Sequence, residues 1–147
     1  MALTTYGSDA IIGGMNVDGP EEFFDWLDRT ETRAKGGDEH SRRLLARAAD
    51  ALNQLRMLEQ APTEDTPDLK RVRQSKTHTV WRTAHPFDPD IAFRLICWFP
   101  PNSSTVVVAL FAADKAHMGD VFYNSVGTRA DAAIQQWLNE TLEEPHE

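Results

Sequence analysis

The chain has 147 residues, of which 41% are hydrophobic and 26% charged, a composition that supplies one core and is too apolar for a disordered polymer. Its formal net charge of −8 counts against binding polyanions over the whole surface, and no run of about 18 apolar residues is present to span a membrane. Cys97 is the only cysteine, which excludes an internal disulfide and a cysteine-based metal site. The N-terminal stretch lacks a basic segment followed by a long apolar one, so a cytoplasmic protein of one domain is expected.

In chain order, residues 1–19 are rich in Gly, Thr and Asp, and Ile11, Ile12 and Met15 are the candidates for one short edge strand. Asp18-Gly19-Pro20-Glu21-Glu22 reads as a helix start: Asp18 as the cap, Pro20 in the first turn, and two glutamates against the positive end of the helix dipole. Phe23, Phe24, Trp26 and Leu27 give this helix an apolar face, and Gly36-Gly37 ends it. A second helix is expected from Asp38, with Leu44, Leu45, Ala48, Leu52, Leu55 and Met57 or Leu58 at helical spacing. The two make a helical hairpin. Residues 61–68, polar and holding Pro62 and Pro67, close the helical half.

The pattern then turns to strands. Residues 77–83 alternate around Val80 and Trp81; residues 91–99 are apolar except for Arg94; residues 105–111 are β-branched and apolar. Turns at 85–90 and 100–104 join them into an antiparallel meander. Ala130, Ala133, Ile134, Trp137 and Leu138 share one face of a final helix, and residues 139–147 form an acidic tail. The fold class expected is α+β: an antiparallel twisted sheet of three to four strands packed against the N-terminal hairpin, with a C-terminal helix. The elements are taken as two layers, with the helices over one face of the sheet.

Charge is unevenly spread. Residues 69–117 hold seven basic side chains against three acidic ones, between two acidic flanks. Within this basic island Arg94 stands alone in an apolar strand, where a guanidinium needs a carboxylate, a phosphate or water. Either an acid from the helical layer pairs with it, or its head snorkels to a sheet edge, or it clamps phosphate on the open face of the sheet. Lys70, Arg71, Arg73 and Lys76, followed by His78 and Arg82, form a second basic set. Lys115, His117 and Tyr123 form a third, after the last apolar strand, where functional side chains often sit.

The stretches FRLICWF (93–99), TVVVALFAADKAH (105–117) and DVFYNSVGTRADAAIQQWL (120–138), preceded by the helical hairpin, resemble the RelE/ParE toxin superfamily, in particular its HigB-like and phage-derived branches. The resemblance covers roughly residues 18–138. It implies the toxin of a type II toxin–antitoxin pair: a metal-independent, ribosome-dependent mRNA endoribonuclease with a cognate antitoxin, mRNA and the ribosome as partners. It places the phosphate-stabilising arginine on Arg94, the basic residue of the preceding strand on Arg82 or Lys76, the loop cation on Lys115 or His117, and the family tyrosine on Tyr123. Lys70, Arg71, Arg73 and Lys76 then become RNA-binding residues. In such a site the ribose 2′-hydroxyl attacks the adjacent phosphorus in line. Arg94 stabilises the phosphorane, His117 serves as the acid for the leaving 5′-oxygen, and Tyr123 serves as the base or as a stacking platform. The alternatives are a ParE-like inhibitor of DNA gyrase and a catalytically inactive binding protein, which the acidic balance favours.

Other chemistries lack a motif. There is no GxxxxGK[ST] or GxGxxG, the five histidines (40, 78, 85, 117 and 146) lack metal-site spacing, and Ser103-Ser104 has no nucleophile context. No cofactor is expected.

Overall fold

A computed structural model describes residues 14–73, 75, 77–84, 93–114 and 120–143, with backbone alone for 113, 114, 120–124 and 143. The elements run β1 (Asn16–Asp18), α1 (Glu21–Lys35), α2 (Glu39–Arg56), β2 (Leu69–Arg71), β3 (Val80–Thr83), β4 (Phe93–Trp98), β5 (Val106–Asp114) and α3 (Asp120–Glu143). The α+β class, the hairpin and the C-terminal helix are as expected.

The sheet differs in detail. It has five strands in the order β1-β5-β4-β3-β2. The last four form the antiparallel meander, and β1 adds to β5 in parallel, with Val17 opposite Val107. A parallel neighbour needs a crossover, and the α1–α2 hairpin with the meander supplies it. The edge strand lies at 16–18, just after the buried Met15; Ile11 and Ile12 lie outside the described residues.

The hairpin follows from local sequence. Gly37 has φ of +100°, the left-handed region open to glycine. There Gly37 N–H bonds the Ala34 carbonyl and Asp38 N–H bonds the Arg33 carbonyl, two bonds that close α1 in a Schellman turn. Asp38 stands at the N-cap position of α2, where the helix was expected to begin, and its carboxylate accepts a hydrogen bond from the Ser41 hydroxyl, which holds it below the usual carboxylate range. Asp18, in contrast, does not cap α1. Its carboxylate accepts from Gly19 N–H and from the Trp137 indole, and the N–H of Glu21 is taken by Glu140 of α3. A cap from 119 residues away cannot be read from local spacing.

The layering is the main correction. Helices cover both faces, not one. Phe23, Phe24, Ala48, Leu52 and Leu55 of the hairpin pack on Leu69, Trp81, Leu95, Cys97 and Val107. On the opposite face Val126, Ala130 and Ile134 of α3 pack on Val80, Ile96, Trp98, Val108 and Leu110. Two covered faces explain why β4 is apolar at nearly every position: such strands bury both sets of alternating side chains. A register shift at Ile96/Cys97 lets Leu110 and Phe111 both reach the α3 side.

Candidate functional site

Strand alternation fixes where the basic residues go. Val80, Ile96 and Trp98 face α3, so Arg82 on β3 and Arg94 on β4 face the same way. Val72 also belongs to that face, which puts Lys70 of β2 there. Lys70 is the direct cross-strand partner of Arg82, and Arg82 is the direct partner of Ile96. Arg94 lies two residues before Ile96 on the same face, diagonal to Arg82. Lys70, Arg82 and Arg94 therefore form a cationic strip across three adjacent strands, at the end of the sheet where β3 finishes and β4 begins.

All three side chains are half-buried. Their aliphatic stems can lie along the sheet beside the core while the charged heads reach its margin. Arg94 donates from Nη1 to the Phe93 carbonyl at 2.7 Å, which fixes one edge of the guanidinium. Like charges placed directly opposite across two strands are destabilising. Lys70 opposite Arg82 is such a pair. Between like cations held at that spacing, a bound anion turns repulsion into attraction.

The structure divides the remaining candidates. Lys70 and Arg71 belong to the sheet itself, in β2, a strand that the sequence pattern had not marked. Arg71 faces the hairpin side, with its guanidinium 5.9 Å from the Trp81 ring centre, and its backbone N–H donates to Asp65 Oδ1. Arg73 is exposed and lies 3.9 Å from the same Asp65. Asp65 thus holds Arg71 and Arg73 in a separate group, away from the strip. Tyr123 falls in the first turn of α3 by its backbone. Lys76, Lys115 and His117 lie outside the described residues.

His78 was grouped with the basic set, but its placement is specific. Its Nδ1 sits 3.2 Å from Asp131 of α3, and its ring meets Trp98 edge-on at 5.3 Å. Trp98 in turn meets Trp137 at 6.0 Å. This row fastens α3 to the sheet and gives His78 a structural task. Sequence spacing could not show it, because the partners are 53 residues apart.

A cleft of about 210 Å³ lies elsewhere, between α1 and α3 over β5, and includes Trp26, Arg29, Phe111 and Arg129. Nothing in the sequence had marked it. Among the described residues no group of His, Cys, Asp and Glu is placed to hold a metal ion, and no described helix is long and apolar enough to cross a membrane. The chain matches no family model, no curated protein and no solved structure.

Proposed function

We propose that the protein is an RNA-directed toxin of the RelE/ParE type, acting in the cytoplasm on mRNA at the ribosome and held silent by a cognate antitoxin. The observation that carries this reading is the strip itself: Lys70 directly opposite Arg82, with Arg94 on the diagonal, on one sheet face. Three cations in a row match the spaced charges of a nucleic-acid backbone, and the acidic remainder of the chain confines polyanion binding to this place.

In the reaction proposed, a ribose 2′-hydroxyl loses its proton and attacks the adjacent phosphorus. The bond from phosphorus to the 5′-oxygen breaks, leaving a 2′,3′-cyclic phosphate on one fragment and a protonated 5′-hydroxyl on the other. Arg94 and Arg82 hold the charge that gathers on the phosphorane oxygens, for which Arg is suited because its planar fork remains cationic. Tyr123, which this role requires as the phenolate, takes the first proton, and His117, required as the imidazolium, returns one to the leaving oxygen. Lys70 binds the neighbouring phosphate, and Lys76 and Lys115 are assigned to the same task by the resemblance alone.

Induced expression in a bacterium, with primer extension on ribosome-bound mRNA, tests this reading. Growth arrest with new 5′ ends inside codons is expected for the wild type, and loss of both for Arg94→Ala. Arrest without cleavage sinks the nuclease. A non-cleaving binding protein is the second reading, favoured by the net charge of −8; a supercoiling assay then separates gyrase inhibition from simple partner binding.

A further inference from the structure

Among the described residues, the edge of the sheet beside the 210 Å³ cleft is only half paired. β1 pairs with Val106–Val108 and stops at Asp18, where the chain turns into α1. Beyond Val108, β5 continues for six residues to Asp114, and among the described residues no strand pairs with its outer side there.

The register shows what that outer side offers. Leu95 directs its N–H to the Thr83 hydroxyl, away from β5. Its partner on β5 is Ala112. In an antiparallel ladder the two members of such a pair turn their backbone groups away from each other. The N–H and C=O of Ala112 therefore face outward, and Ala112 lines the cleft. This is the half-ladder that an extended peptide completes.

The walls say what kind of peptide fits. Arg29 comes from α1 and Arg129 from α3, and among the described residues neither pairs with a carboxylate. Arg129 lies over the Phe111 ring, 4.2 Å from its centre, which holds the guanidinium at the rim. Glu22 is the one carboxylate among the described lining residues, so the walls carry an excess of positive charge. A second copy of the chain pairing through the same edge would bring the same net-positive walls to both sides of the ladder. We infer that this cleft receives an extended acidic segment of a partner protein, which adds a strand to β5 at Ala112 and places carboxylates between Arg29 and Arg129. The inference does not depend on the nuclease reading, since the cationic strip lies on other strands.

The test uses the full chain and fluorescein-labelled peptides of about eight residues, the length of an ordinary strand. One alternates Val and Glu, a second alternates Val and Lys, and a third is the Val–Glu peptide with alternate backbone nitrogens methylated. Anisotropy should show saturable binding of the Val–Glu peptide, weakened by about tenfold or more for each of the other two. Arg29→Glu with Arg129→Glu should lose a similar factor, with an unchanged circular dichroism spectrum. Ala132→Trp, which fills the cleft from an exposed helix position, should lose it without altering charge. The inference is overturned if the Val–Glu peptide fails to bind up to about 1 mM. Equal binding of the methylated peptide also overturns it, because charge alone would then account for the contact. A dimer in sedimentation that dissociates in Ala132→Trp would assign the edge to a second copy instead.

Discussion

Trp137, near the end of α3, donates its indole N–H to Asp18 Oδ2 at 3.1 Å and so ties the C-terminal helix to the edge strand at the other end of the sequence. One turn further on, Glu140 accepts the N–H of Glu21 at 2.9 Å and caps α1. Together these bonds join α3, which covers one face of the sheet, to the start of the hairpin, which covers the other. Removing the indole N–H while keeping an aromatic ring isolates the first bond. Trp137→Phe is expected to lower stability by about 1–3 kcal/mol, the range for a hydrogen bond to an ionised acceptor with some lost packing. Urea unfolding measures it, and an unchanged midpoint would mean the bond contributes nothing in solution.

Gly19 sits where α1 is pressed against β5. A Cβ at that position would stand 2.7 Å from the Ala109 carbonyl oxygen. Both parties are backbone, so no rotamer change relieves the clash. Gly19→Ala is expected to be destabilising by about 1–3 kcal/mol, as overpacking usually is. Gly36→Ala serves as the comparison, since its Cβ would meet nothing closer than 3.5 Å. Equal unfolding midpoints for the two variants would show that the β1–α1 corner gives way more easily than this geometry implies.

Cys97 is buried against the hairpin, and burial pushes its thiol up from 9.0 to about 12. The folded state therefore keeps the proton over a range in which the unfolded chain releases it. The stability this group contributes is fully present below pH 9 and is lost as pH rises toward 12, by at most roughly 1.4 kcal/mol per pH unit. The expected outcome is a wild-type stability that falls more steeply above pH 9 than that of Cys97→Ala, so the gap between them narrows. Iodoacetamide at pH 8 should label Cys97 only at the rate of unfolding. Fast labelling in native buffer would refute the burial.

Much of this architecture was legible in the sequence, and the misses have physical causes. The hairpin announced itself through Gly36-Gly37 and the spacing of Ala48, Leu52 and Leu55, because helix periodicity is local. β2 escaped notice because Leu69-Lys70-Arg71 is short and mostly charged; only its pairing with β3 makes it a strand. The two-layer expectation failed although its contrary signal was present: Phe93 to Trp98 is apolar on both alternating sets, which a sheet open on one face would not need. Arg94 stood out as one charge in an apolar strand. Its grouping with Arg82 and Lys70, and the separation of Arg71 and Arg73 around Asp65, depend on register, which no spacing within a single strand contains.

The strip yields a test that needs no nuclease assay. Lys70 and Arg82 repel across β2 and β3 when no anion lies between them, so neutralising one should relieve the fold while weakening anion binding. Arg82→Gln and Lys70→Gln are each expected to unfold at equal or higher urea at low ionic strength, by up to about 1 kcal/mol. A short single-stranded RNA should raise the wild-type melting temperature, since a ligand that binds only the folded state stabilises it by mass action. That gain should shrink in both variants and in Arg94→Ala. It should persist in Arg71→Ala, whose side chain points to the opposite face beside Trp81. If Arg71→Ala loses RNA stabilisation as much as Arg94→Ala does, then RNA is not read by the α3 face of the sheet. The cluster around Asp65 would become the better anion site, and the reaction assigned to Arg94 would have no substrate beside it.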